Sequence, residues 1–449
     1  VYLQVPDVSM ESLTLGDGAY GIVFSGDTLF LPGEELIPQQ VTVHGDAMFG
    51  RGVEGLGTRI WYINDSTLTV EGTTTFAGGD YYLGSQAGGH TDLNGDVDFA
   101  DDTRFTFASG SNSIASNRVS LGQSDTSLFL GGNLTMRPVS LPTQGTNVDV
   151  LGSAVLKDGV EDFTFTIGLI QTDQVNFHNT ALANISEGLL DVQGGTVNFM
   201  GAATTNSAGT LDLTIGNTGL VQVQALSALE EIQFGALNST GAGTSILSLV
   251  NPDDPTLDSR ISVRGGAFDG LIDDGDDNRL TFTNRAETLV FTGTGNYTGS
   301  TRVFDGGTIQ LGNGNERGEI LATTRAIVGD ETGNQGTIYI ANGRFATNIG
   351  ADDTQDGLLF VGSNGRFEVR NEDGNPASEV SIAGDTQIFG SLLASGFAGT
   401  VDPNFDLALG DDLDDSVIVA SSGSLGLSGD SRTMVSGNME LTSGLGYEG

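Results

Sequence analysis

The chain contains no cysteine, which excludes disulfide staples, thiolate metal sites and thiol catalysis. Basic side chains are scarce: one lysine, Lys157, and sixteen arginines stand against 40 aspartates and 18 glutamates, giving 449 residues a formal net charge of −41. A surface this acidic repels nucleic-acid phosphates and anionic headgroups, so neither nucleic acid nor a membrane surface is an expected partner. No run of eighteen apolar residues exists to cross a bilayer as a helix. The Glu and Lys that favour exposed helices are outnumbered by Asp, which favours turns and cation coordination. There is no Gly-x-Ser-x-Gly elbow and no phosphate-binding Gly-Lys-Ser/Thr, and the three histidines, His44, His90 and His178, are far apart.

Glycine is abundant, at 68 residues, but lacks the three-residue period and proline content of collagen. With 37% hydrophobic residues the chain is too apolar for a disordered tail. A seven-residue pattern, aliphatic-x-Gly-x-small or aliphatic-x-large apolar, starts at Val43, Val70, Leu93, Leu130, Val150 and Ile382, and a looser copy spans 192–199. The first five copies start 27, 23, 37 and 20 residues apart. This alternation is that of a strand, in which odd positions share one face. In the third copy Leu93, Gly95, Val97 and Phe99 point inward while Asn94, Asp96 and Asp98 point outward. In all six exact copies every acidic residue falls on the outward phase, so a one-residue slip would bury them. The seventh residues of the first five copies, Phe49, Phe76, Phe99, Met136 and Leu156, are expected to line one interior stack, with the central glycine at a bend.

A second pattern, Gly-Thr-Ile-x-aliphatic running into Asn-Gly, occupies 307–314 and 336–343, with a longer form over 357–365. The last two continue identically, as Arg344-Phe345 and Arg366-Phe367. Asn-Gly accepts positive φ, so each unit reads as strand, tight turn, strand. Irregular repeats of short alternating strands predict an all-β chain: a parallel β-solenoid, a right-handed β-helix with irregular coils of about 20–30 residues. It is expected to run continuously over 1–449, with candidate seams near 137–143 and 251–257 at proline-containing stretches. Residues 225–235 alone carry any helical signal.

The stretch Gly295-Asn296-Tyr297-Thr298-Gly299-Ser300-Thr301, followed by Val303 and Gly307-Thr308-Ile309-Gln310-Leu311, resembles the autotransporter-associated β-strand repeat. That unit runs as a Gly, Asn-Thr-Tyr-x-Gly-x-Thr, a Val and Gly-Thr-Leu-x-Leu; here one Thr is missing and Ile309 takes a Leu position. The resemblance implies a secreted right-handed β-helix at a bacterial cell surface and brings no catalytic residues with it. Val1 in place of Met, with no basic and apolar leader after it, fits a mature exported chain.

Carboxylate runs at 101–102, 253–254, 273–277 and 411–415 invite comparison with solenoid enzymes, which need two carboxylates about 5–10 Å apart. The Asn-Thr-Asp, Gly-His-Gly and Arg-Ile-Lys triplets of polygalacturonase-like hydrolases are absent, and Arg260 and Arg279 are the bases a lyase could use. Calcium is the cofactor these runs fit better, at Asp92 and Asp96 and at Asp273, Asp274, Asp276 and Asp277. Trp61-Tyr62 and Tyr81-Tyr82 could stack on sugar rings. The uncharged alternating segment Val1, Tyr2, Leu3, Gln4 and Val5 is the candidate for joining one subunit to the next by strand addition. The expected function is that of an extracellular or cell-surface structural or adhesive solenoid, a self-associating homopolymer in a surface layer, fibre or adhesin. The alternative is a polysaccharide-binding or polysaccharide-cleaving β-helix.

Overall fold

A computed structural model describes residues 2–3, 7–16, 21–24, 40–51, 58–62, 66–85, 89–109, 117–138, 146–158, 160, 163–169, 174–178, 181–182, 184–185, 188–200, 211–224, 231–241, 243–251, 254, 256–275, 279–313, 315–330, 334–348, 357–370, 378–395, 405–410, 415–428 and 432–441. Among these, every strand pairing is parallel and no helix occurs: the chain is a β-solenoid. Two compact units, Val1–Gln222 and Val223–Gly449, are distinguished, the division falling within the strand Leu211–Gln224. The stretch 225–230, where the sequence carries its helical signal, lies outside the described residues.

In the first unit the coils from Gln40 to Gly168 contribute three strands each, and each strand pairs with its counterpart one coil on; further along, the single long strand Gly188–Met200 pairs with both Thr164–Gly168 and Gln174–His178. One column forms a six-stranded sheet that runs through Ala47–Phe49, Thr74–Phe76, Val97–Phe99, Ser127–Leu130 and Ser153–Leu156. A second passes through Gly79–Ser85, Thr103–Ser109 and Leu134–Pro138, and a third through Ser66–Val70, Gly89–Leu93 and Asn117–Leu121. Along the third, Gln40 faces Thr67, then His90, Arg118 and Asn147, steps of 27, 23, 28 and 29 residues. Coils of unequal length thus share one ladder, because extra residues are accommodated between strands rather than within them.

The alternation behaves as the sequence predicts. Leu93, Val97 and Phe99 are buried, while Asn94, Asp96 and Asp98 lie on the outer side. Phe49, Phe76 and Phe99 stack ring on ring at centroid separations of 5.1 and 5.5 Å, the offset geometry that aromatic quadrupoles favour. Tyr81 closes this core edge-on, its hydroxyl donating to the carbonyls of Phe49 and Gly50, which satisfies the one polar atom of a fully buried ring.

Met136 does not belong to that stack. Phe99 is followed in register by Leu130 and then by Leu156, which is only half-buried, whereas Met136 continues the adjacent column after Tyr81 and Phe105. The fourth copy of the motif, Leu130 to Met136, therefore turns a different corner from the first three: it leaves the six-stranded sheet instead of entering it. One alternating grammar serves two corners, and sequence spacing alone does not distinguish them.

The central glycines mark close backbone approach. A Cβ on Gly72 would lie 2.6 Å from the carbonyl of Gly45, and one on Gly95 would lie 2.3 Å from that of Gly72. The Asp or Asn beside each corner bonds across to the next coil. Asp46 accepts from the N–H of Thr73, Asp96 from Ser127, Asp101 from Asn133, Asn133 from Thr164 and, in the second unit, Asp385 from Ser416, at 2.8–3.2 Å. Each short side chain reaches one coil forward to pair a donor at the start of a strand, the role that Ser, Asp and Asn play at helix starts.

The second unit repeats the three-strand coil. A nine-stranded sheet includes Ser259–Val263, Leu280–Arg285, Ser300–Phe304, Arg325–Val328 and Leu358–Val361. Beside it, Gly307–Leu311, Gly336–Ile340 and Gly365–Arg370 pair in register. The longer third copy of the second pattern is thus split: Leu358–Val361 sits in the nine-stranded sheet and only Gly365 onward joins the column. Arg344 and Arg366 accordingly stand on different faces despite identical local sequence, and Asn342-Gly343 and Asn364-Gly365 are corners between faces, not turns between adjacent paired strands. The segment that resembles the autotransporter-associated repeat closes one coil, Leu289 facing Ile309 and Phe291 facing Leu311, with Tyr297 buried and hydrogen-bonded to Thr301.

Candidate functional site

The residues expected to hold calcium are largely engaged. Asp96 is committed to the Ser127 N–H, and Asp92 lies half-buried on the strand Gly89–Leu93 between Thr69 and Ser120. Asp273 accepts from the Gly275 N–H and from Asn296, and Asp274 accepts from the N–H groups of Leu280 and Thr298. Burial raises the Asp274 carboxyl above its ordinary range, and the hydrogen bonds from Thr298 and Leu280 oppose that shift. Asp276 and Asp277 lie outside the described residues, and among the described residues no three His, Cys, Asp or Glu side chains converge on a common point. In the expected assembly segment, Tyr2–Leu3 pairs with Val23–Phe24; Val1, Gln4 and Val5 lie outside the described residues. Tyr81 is core rather than a sugar platform.

Two arrangements escaped the sequence. On an outer face of the first unit Ser9 Oγ is 2.8 Å from His44 Nε2, and His44 Nδ1 is 2.9 Å from Glu71 Oε2. The hydrogen bond with Glu71 raises the imidazole's pKa. The order hydroxyl, imidazole, carboxylate is that of a nucleophilic relay. It lies open to solvent, with side-chain exposures of 45% for His44 and 50% for Glu71, and the neighbouring N–H groups of His44 and Glu71 are given to the carbonyls of Met10 and Val43. Neither of these two donors is therefore free to hold an oxyanion, the element that carries much of the catalysis in such a relay.

The second arrangement lies on the outer face of the nine-stranded sheet. Arg260, Arg285, Arg302 and Arg325 come from four successive strands, one per coil. Register places Arg302 beside Thr283 on one side and Ile327 on the other, Arg260 beside Thr281, and Arg325 beside Ser300. Ser262, Thr281 and Thr283 share the outward phase yet are only 2%, 4% and 1% exposed, and over Ser262 the cover is an arginine stem. Arg285 shows how: its Nε donates to Ser262 Oγ, and its terminal nitrogens reach Asp305 at 2.8 Å and Glu231 at 3.2 Å.

Arg285 is thus neutralised twice, and elsewhere in the unit Arg317, Arg344 and Arg366 are paired with Glu319, Glu379 and Glu368. Arg302 and Arg260 differ. Neither forms an ion pair within 4.0 Å among the described residues, and the buried Nε of each, like the buried Thr283 hydroxyl, has no hydrogen-bond partner. Burial, together with the like charges of Arg260, Arg325 and Arg285, lowers the pKa of the Arg302 guanidinium, with Glu231 pulling the other way. In a chain of net charge −41, this is a patch of concentrated, incompletely compensated positive charge.

No protein-family model, no curated protein and no solved structure matches the chain.

Proposed function

We propose that the chain is an extracellular structural or adhesive scaffold, whose outer faces present side chains to a surrounding matrix or to further copies. One observation carries this reading: the interior is filled by apolar columns, and polar side chains stand outside in ladders of one residue per coil, about 4.8 Å apart. Such a grid suits repetitive, extended contacts, as the concave faces of other solenoids do. The likeness of the coil at 289–311 to a surface-passenger repeat supports an extracellular setting. The test is to coat beads with the purified chain and measure their clustering and their retention on acidic and neutral polysaccharide films at physiological salt. Clustering or retention is expected. Beads that stay dispersed and bind no film refute the scaffold reading, and shortening of the film polymer replaces it with the polysaccharide-cleaving alternative.

A further inference from the structure

We infer that the group formed by Arg260, Arg285, Arg302 and Arg325 is a binding site for a linear, carboxylate-bearing polysaccharide lying across the outer face of the nine-stranded sheet. The polymer class rests on the extracellular scaffold reading; the site itself rests on the geometry of the second unit. Four successive rungs about 4.8 Å apart carry one arginine each, Arg260 and Arg325 in one column, Arg302 displaced two residues along the strand and Arg285 four, so the charges spread across the face over roughly 14 Å of its axis and suit an extended polyanion rather than a single small anion. A guanidinium presents a planar fork of N–H donors that fits a carboxylate with two parallel hydrogen bonds.

The Nε donors of Arg302 and Arg260 and the hydroxyl of Thr283 are buried without a hydrogen-bond partner and lie out of a ligand's reach, so it is the terminal nitrogens of the two guanidinium groups that are offered to a ligand. Arg285, Arg317, Arg344 and Arg366 are matched to carboxylates within 4.0 Å, whereas Arg302 and Arg260 feel only the more distant charges of Glu231 and Asp258. A bound carboxylate would relieve the like-charge crowding at Arg302 by accepting from the terminal nitrogens of its guanidinium.

The surroundings narrow the ligand further. Phe304 stands in register with Arg285, whose guanidinium lies 5.9 Å from that ring's centroid, while the hydroxyls of Ser262, Thr281 and Thr283 are buried among the arginines and not offered to a ligand. Forked donors beside an aromatic ring suit an acidic sugar chain, which offers a carboxylate and an apolar ring face in each repeat. Duplex nucleic acid carries one charge per roughly 1.7 Å, far more than one arginine per rung can neutralise, and the acidic remainder of the chain repels it.

The experiment measures binding of oligogalacturonate to the full chain by calorimetry and fluorescence anisotropy, across a salt series, with dextran, heparin and polyglutamate as comparison probes. The variants are Arg302→Gln, Arg260→Gln, the two combined, Arg302→Lys and, as a control on another face, Arg366→Gln. Oligogalacturonate should bind with an affinity that falls with salt, and the double variant should weaken it at least about tenfold with a shallower salt slope. Arg302→Lys should weaken binding nearly as much as Arg302→Gln, since it keeps the charge but not the fork, and Arg366→Gln should bind as the parent does. Arg302→Gln should melt no lower than the parent, because it removes a crowded like charge; a large loss of stability would assign Arg302 a packing role and overturn the inference. Equal binding by parent and double variant also overturns it while leaving the scaffold reading intact. Preference for heparin or polyglutamate, or a mass that halves in the double variant, assigns the group to a sulfated glycan, an acidic polypeptide or a second copy, and rejects the uronate. Absence of binding to every probe, with beads that still cluster, removes this site alone; absence of both removes the scaffold reading as well.

Discussion

Met48 and Phe49 are chain neighbours with opposite fates: Met48 is 46% exposed and Phe49 is 0% exposed. Phe99, two coils on from Phe49 in the same column, is 1% exposed, stacked on Phe76 with an interplanar angle of 9° and set edge-on to Phe105 at 5.8 Å. Replacing Phe99 by Asp forfeits about 2–3 kcal/mol of apolar burial. It also forfeits about 1 kcal/mol of ring pairing. The carboxylate left without a partner adds about 3 kcal/mol or more. A loss of that size is comparable with the whole stability of a modest domain. Phe99→Leu should cost under about 1.5 kcal/mol, because the next rung already holds Leu130 in this column. Met48→Asp should stay within about 0.5 kcal/mol of the parent. Urea unfolding followed through the fluorescence of Trp61, the single tryptophan, which lies in the strand Thr58–Tyr62 of the same unit, measures all three. A Phe99→Asp variant that unfolds at the parent's midpoint, or a Met48→Asp variant that suffers equally, would refute the assigned phase.

Gly72→Ala should destabilise by about 1–3 kcal/mol, since its Cβ meets the Gly45 backbone at 2.6 Å, whereas Gly16→Ala, with nothing within 4 Å of the added atom, should be near neutral by the same unfolding assay. Asp96→Ala leaves the Ser127 N–H without its acceptor and should cost about 1 kcal/mol, while Asp96→Asn should cost little, because Asn133 makes the equivalent bond at a later corner. The Asp149 carboxyl is held below its ordinary value of 3.8, first by its hydrogen bond with His178 and then by Asn176, with burial opposing. The stability it contributes is therefore present above pH 3.8 and lost as pH falls through the lower folded value. Asp149→Asn should flatten that acid limb in a series of melts, and an unchanged limb would show that the contribution lies elsewhere.

The sequence by itself determined the fold class and the direction of its side chains. Period-two alternation with acids on a single phase is a local property, and a misplaced phase would bury charge, so Leu93, Val97 and Phe99 are assigned inward without any coordinates. The excess of Asp over Glu is visible too, although its use is not: a short carboxylate reaching one coil forward to the first N–H of a strand looks, in sequence, like a cation ligand. Which residues become neighbours across coils was decided only by the tertiary ladder. Coil lengths vary, because residues between strands can be added without disturbing the paired core, so the offset from one rung to the next is not encoded in any fixed period. That is why Met136 stands beside Phe105 and not above Phe99. It is also why Arg260, Arg285, Arg302 and Arg325, spaced 25, 17 and 23 residues apart, give no sign in sequence that they stand on successive rungs of one face.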